Sequence, residues 1–179
     1  HEEDMELIKE VGATSIRLAH YQHDQYLYDL CDREGMVVWA EIPFISIMSK
    51  TELEGINAKQ QMVELIRQNF NHPSIMFWGV QNEIQIGGNR PEVRKVVKEL
   101  AELTKKEDPT RLTTQANVMF VPDEDEYNFM TDIVGYNKYY GWYQGEAEDF
   151  GPWMDEFHAK NPNVCLGISE YGAEGIIQY

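Results

Sequence analysis

The chain is poor in cysteine, poor in positive charge and free of long apolar runs, and each shortage narrows what it can be. Cys31 and Cys165 are the only cysteines among 179 residues. Two thiols so far apart give neither a disulfide scaffold nor zinc-ligand spacing, and both are expected to be buried and reduced. Fifteen Lys and Arg face 31 Asp and Glu, a formal net charge of -16. Phosphate binding needs a basic footprint, so this balance argues against nucleic acid and against an anionic membrane surface. A neutral sugar is compatible with it, as is a surface that is acidic only for solubility. No apolar run approaches the ~18 residues of a spanning helix. No Gly/Ser-rich linker or low-complexity block interrupts the chain, and no Gly-rich phosphate loop follows the first apparent strand, as a doubly wound nucleotide-binding sheet would show. His1, His23 and His158 form no set with metal-ligand spacing.

What is present is an alternation of short apolar runs with helical stripes, the pattern of α/β units and a parallel sheet. Met5, Ile8 and Val11 recur at helical spacing before Gly12. Strands are expected at 14–20, 36–41, 74–80, 112–115, 132–137 and 164–170. Helices are expected at about 25–34, 58–71 (with Met62, Leu65, Ile66 and Phe70 on one face), the Val93–Leu103 stripe and 152–159. The run Ser74-Ile75-Met76-Phe77-Trp78-Gly79-Val80 is almost wholly apolar, as a strand covered on both faces should be. The acidic stretch 123–126 is expected to be a solvated loop, and His72, beside Pro73, a structural histidine. Six such units make an incomplete (β/α)₈ TIM barrel, since a whole one needs ~250 residues. The chain begins at His1 and stops at Tyr179, and both ends read as cut, so residues 1–179 are expected to be one partial barrel domain of a longer chain with its first and last strands outside.

Side chains at the C-terminal ends of parallel barrel strands converge on one mouth. Glu83 lies just past one apolar strand and Glu170 ends another, while Arg17, His20, Glu41 and Tyr139 occupy comparable ends. Two carboxyl groups facing each other are what glycosidic-bond hydrolysis requires. A lone strand-end glutamate is more often a capping or ion-pair residue; two on facing strands, with Arg, His and Tyr nearby, shift the balance toward catalysis.

Three ordered motifs sharpen this: Ile16-Arg17-Leu18-Ala19-His20-Tyr21, then Asn71-His72-Pro73 through Gln81-Asn82-Glu83, then Ile168-Ser169-Glu170-Tyr171-Gly172-Ala173. Between the last two stands Asn137-Lys138-Tyr139-Tyr140-Gly141-Trp142-Tyr143. In these motifs the chain resembles glycoside hydrolase family 2, which includes β-galactosidases, β-glucuronidases and β-mannosidases. The resemblance implies a retaining mechanism through a covalent glycosyl-enzyme, with Glu83 as acid/base and Glu170 as nucleophile. It implies Asn82 on the sugar 2-hydroxyl and His20, Arg17, Glu41, Tyr139 and Trp142 as substrate-binding residues, with Tyr143 in an aromatic wall. The loop sequence places β-galactosides ahead of β-glucuronides and β-mannosides; a barrel that binds carbohydrate without cleaving it is the alternative. The family usually has Asn at Thr14 and Pro at Gln22, both conformational departures, and in many members Asp at Ala40, so any role of that acid is absent here. The family's metal ligands are not evident near Glu41, so no metal and no cofactor are expected. The expected partners are a carbohydrate substrate and β-sandwich domains of the parent chain. A homo-oligomer is left open, as is the compartment, with periplasm or exterior placed ahead of cytoplasm.

Overall fold

The computed structural model describes residues 1–51 and 55–176. It is built on a single six-stranded, all-parallel sheet in which the strands neighbour one another in chain order: β1 (Ser15–Leu18), β2 (Val37–Glu41), β3 (Ile75–Asn82), β4 (Leu112–Val118), β5 (Ile133–Asn137) and β6 (Cys165–Glu170). Helix α1 (Glu2–Glu10) precedes β1, and α2 (Gln25–Glu34), α3 (Ile56–Asn69), α4 (Pro91–Glu107) and α5 (Phe150–Lys160) lie between later strands. Sequential parallel neighbours, joined by helices except between β4 and β5, are six consecutive strands of a (β/α)₈ barrel, open between β1 and β6.

Local chemistry places the helix ends. The Asp24 side chain accepts from Tyr26 N at 2.8 Å to cap α2, and Gly35 closes the helix at φ 70°, where a side chain would be strained. Pro91 opens α4 and Lys105 and Lys106 sit in its last turn, where they complement the helix dipole. Val38, Ala40, Trp78 and Val80 point outward and are buried under the helices with Leu65, Ile66, Val96 and Leu100. A smaller cluster, Val118, Val134, Tyr136 and Phe157, packs α5 on β4 and β5.

Asp108, at the end of α4, anchors this outer layer. It is fully buried and accepts from Trp78 Nε1 at 3.0 Å, Arg111 Nη1 at 2.8 Å and Thr110 N at 2.9 Å. Burial alone would raise its pKa, but the hydrogen bonds from Thr110, Arg111 and Trp78 outweigh it and hold the carboxyl well below the usual carboxylate range. A depressed folded-state pKa stabilises above the unfolded value of ~3.9, and that stabilisation is lost as pH falls toward the folded value. Asp108→Asn is therefore expected to lower stability at neutral pH by about 2 kcal/mol. In urea titrations the gap to the wild type should shrink as pH falls below ~4; a gap independent of pH would refute the charge-based account.

The sequence predicts no helix between β4 and β5, and three other expectations are corrected. No α-helix links β4 to β5; the 3₁₀ turn Glu126–Phe129 does so. Buried amides take up the space behind the strands: Gln81 Nε2 reaches Gln115 at 3.2 Å and Asn117 at 3.1 Å, and Asn117 Nδ2 reaches Asn128 at 3.0 Å. A groove of about 700 Å³ lies at the opposite, N-terminal end of β4, lined by Lys105, Phe129, Met130 and Asp132. The 123–126 stretch is only half solvated. Glu124 and Glu126 are exposed, but Asp125 holds Arg94 through two bonds of 2.6 and 2.7 Å, and Asp123 accepts from Trp153 Nε1 at 3.2 Å. Cys31 is buried as expected, whereas Cys165, at the start of edge strand β6, is exposed. Strand ends also move: β3 continues to Asn82 and β4 to Val118.

Candidate active site

Barrel-facing positions are set by alternation and then altered by two irregularities. Gly79 and Gly135 face inward, where there is room for nothing larger. A Cβ on Gly79 would stand 2.4 Å from Trp39 Nε1 and 2.6 Å from Glu41 Cβ, and one on Gly135 would stand 2.8 Å from Ser169. Counting from Gly79, strict alternation would turn Asn82 outward. Gly79 pairs with Thr114 but Asn82 pairs with Ala116, so one extra residue is absorbed in β3. That bulge sends Gln81 out to the amide network and Asn82 in. Glu83 follows with φ 51°, in the left-handed region. In β6, Tyr136 pairs with Ile168 and Asn137 with Glu170, another extra residue, which turns Glu170 toward the same mouth as Asn137.

The side chains gathered there form one network. Arg17 donates through Nε to Glu41 Oε2 at 3.0 Å and through Nη2 to Glu41 Oε1 at 3.0 Å. Its Nη2 also reaches Asn82 Oδ1 at 2.7 Å, and its Nη1 reaches Glu170 Oε1 at 2.7 Å. Trp39 lies beneath the guanidinium, 4.9 Å from ring centroid to Cζ. Burial alone would lower the Arg17 pKa, but Glu41 and then Glu170 more than offset it, and the group stands above its ordinary value. Glu41 is 1% exposed, with its oxygens turned to Arg17 and to His20 Nδ1 at 3.0 Å. The hydrogen bond to Glu41 raises the His20 pKa, and His20 Nε2 lies 3.9 Å from Glu170 Oε1.

Asn137 Nδ2 donates to Asn82 Oδ1 at 3.1 Å and to Glu83 Oε1 at 3.0 Å. Asn82 Oδ1 thus receives two donors, one from Arg17 and one from Asn137, which identifies the oxygen side of its amide and leaves the nitrogen as its donor. The Tyr139 hydroxyl donates to Glu170 Oε2. Burial first, then Glu170 and Glu83, push the Tyr139 pKa far up, so the phenol stays a donor. A continuous path of side-chain hydrogen bonds therefore runs from Glu83 through Asn137, Asn82 and Arg17 to Glu170.

All eight side chains expected from the sequence lie on C-terminal strand ends or the loops that follow them, and seven are joined in this network. Trp142 is the exception: it is 40% exposed in the turn after Tyr139 and lies tilted against Tyr143 at 6.0 Å, and Tyr143 meets Tyr139 edge to face at 5.1 Å. Glu41 and Arg17 are spent on each other and on their neighbours, so their place is behind the cleft. Asn137 and Ser169 were not singled out from the sequence. Asn137 stood inside a quoted motif, but nothing in its spacing distinguished it. His72 is structural as expected, paired with Asp32 at 2.7 Å near the start of β3. With Asp29 the two form the one group with metal-ligand spacing among the described residues, far from this mouth.

A parallel barrel segment that gathers two glutamates and an arginine at the C-terminal ends of its strands has the side-chain placement of a TIM-barrel active site. The description "Glycosyl hydrolases family 2, TIM barrel domain" matches residues 1–178, and the chain belongs to that family. It is 44% identical over 186 residues to a beta-glucuronidase of Bacteroides fragilis, covering 100% of this chain and 26% of that protein. The crystal structure of an FMN-binding beta-glucuronidase from Facaelibacterium prausnitzii L2-6 superposes with a TM-score of 0.94 at 53% identity, covering 99% of this chain and 28% of that one. The structure of a putative beta-galactosidase from Bacteroides fragilis gives 0.91 at 39% identity, covering 100% of this chain and 26% of that one. The chain thus spans about a quarter of the length of these relatives.

Proposed function

We propose that the chain carries the catalytic centre of a retaining β-glucuronidase, within a longer polypeptide. The observation that carries this reading is the hydrogen-bond path joining Glu83 to Glu170 through Asn137, Asn82 and Arg17. It holds two carboxyl groups and one buried cation around a single cleft.

The roles follow from the surroundings. Glu170 accepts from Arg17 and from the Tyr139 hydroxyl, which hold its carboxyl group in a fixed orientation at the mouth, so it attacks the anomeric carbon. As the bond to the aglycone breaks, Glu83 gives its proton to the departing oxygen. In the second step water attacks the same carbon, Glu83 takes the water's proton, and the Glu170 ester is released as carboxylate. The Asn82 amide donates to the sugar 2-hydroxyl, and His20 and the Tyr139–Trp142 loop border the ring. Arg17 and Glu41 act from behind, as one ion pair that aims Glu170, Asn82 and His20.

The sugar is the point on which the comparisons favour the alternative over the first sequence preference. The more similar relatives bear the name beta-glucuronidase, at 44% and 53% identity, against 39% for the putative beta-galactosidase. The uronate carboxylate needs a cation of its own. Arg17 is engaged with Glu41 and Glu170, and Lys138 donates to Met119 O at 2.6 Å while lying 4.4 Å from the Trp153 ring. We place that cation on residues outside this segment. Nitrophenyl β-glucuronide, β-galactoside and β-mannoside should be compared on the full-length polypeptide. The glucuronide is expected to lead in kcat/KM by at least about 100-fold, because a site built for a polar group rejects analogues that lack it. A preference for the galactoside would restore the first sequence reading, and no turnover of any would refute the glycosidase.

A further inference from the structure

Glu83 has an unusual backbone and one well-defined side-chain partner. It sits at φ 51°, directly after the bulge in β3, with its N–H bonded to Ala116 O at 2.8 Å. The backbone alone leaves the carboxyl free to rotate about its side-chain bonds. Asn137, 0% exposed, supplies the constraint: its Nδ2 reaches Glu83 Oε1 at 3.0 Å and Asn82 Oδ1 at 3.1 Å. An amide can present either its nitrogen or its oxygen to a neighbour, and only the nitrogen can hold a carboxylate. The choice is made from behind, where Ser169 Oγ donates to Asn137 Oδ1 at 2.7 Å. Ser169 precedes Glu170 in the chain, so the strand end that presents one carboxylate also sets the amide that holds the other.

We propose that Asn137 and Ser169 are positioning residues for the acid/base, which fix the Glu83 carboxyl in line with the leaving-group oxygen. This rests on the assignment of Glu83 under the proposed function. The pair touches neither the anomeric carbon nor the aglycone; it acts through Glu83 and Asn82. Its signature is therefore a selective loss. An aryl glycoside with a very acidic leaving group departs without proton donation, whereas an alkyl glycoside requires it.

The test compares kcat/KM for dinitrophenyl and cyclohexyl β-glucuronide in the full-length wild type and in Glu83→Gln, Asn137→Ala, Asn137→Asp and Ser169→Ala. Glu83→Gln calibrates the reading: it should lower the cyclohexyl substrate by roughly 10²–10⁴-fold and leave the dinitrophenyl substrate within about fivefold. Asn137→Ala should follow the same selective pattern with a loss of at least about 30-fold, and Ser169→Ala should follow it with a smaller one. Retained dinitrophenyl turnover also certifies that each variant is folded.

Asn137→Asp places a second carboxyl against Glu83. It should move the basic limb of the kcat/KM profile upward, because like charges disfavour ionisation. The other ionisable groups at this mouth, Arg17, His20, Glu41, Tyr139 and Glu170, are the same in every variant, so the limb is read against a constant background. Equal losses on both substrates, with an unmoved basic limb, would overturn the positioning role. If Glu83→Gln itself showed no leaving-group dependence, the acid/base assignment would fall instead.

Discussion

Glu170→Gln is expected to lower turnover by roughly 10⁴-fold or more, because the covalent step disappears with the nucleophile. The substitution is nearly isosteric. A glutamine oxygen can still accept from Arg17 Nη1, which now lies 2.7 Å from Glu170 Oε1, and the amide can still meet the Tyr139 hydroxyl. The fold should therefore survive, and substrate should still bind. Loss of kcat with KM little changed separates a missing nucleophile from a collapsed site. Rates within tenfold of the wild type would remove Glu170 from the chemistry.

Arg17→Met should produce the largest stability effect. Arg17 is 12% exposed and its partner Glu41 1%, and removing the guanidinium leaves a buried carboxylate with His20 as its remaining partner. Breaking such a pair costs about 3–5 kcal/mol. It also removes the donor that orients Asn82 and Glu170, so kcat should fall by roughly 10²-fold as well. Arg17→Met combined with Glu41→Leu separates the two effects. With both ions replaced by apolar groups, stability should return to within about 1 kcal/mol of the wild type while activity stays low. Urea denaturation and steady-state rates on the same samples decide it. A fully active double variant would show that the ion pair is scaffolding alone.

Most of the sheet could be read from apolar periodicity, because a parallel strand covered on both faces is written as an unbroken apolar run, as in Ile75–Val80. The same reading marked Glu83 and Glu170 as strand-end carboxylates. It did not show how they come to face one cleft. Alternation counted from Gly79 would have turned Asn82 away, and the bulge that corrects this has no residue signature in Val80-Gln81-Asn82. The amide layer behind β3 and β4 was equally hidden, because Gln81, Gln115 and Asn117 are polar yet fully buried, and only their mutual hydrogen bonds make that tolerable. Asn137 escaped notice for a related reason: an asparagine's value depends on which way its amide points, and here that is set by Ser169 on a neighbouring strand. Arg17 and Glu41 were recognised as members of the site, but their roles depend on how completely they are committed to each other, a matter of contact that spacing does not encode.

The central claim is that Glu170 forms a covalent bond to the sugar, and trapping that bond tests it most directly. The full-length polypeptide would be incubated with the fluoro-substituted glycosyl fluoride of the sugar it turns over, digested, and mapped by mass spectrometry. The account predicts one added glycosyl mass on the peptide that contains Glu170 and none on the peptide that contains Glu83. A label on Glu83, or turnover with inverted anomeric configuration and no label at all, would contradict it.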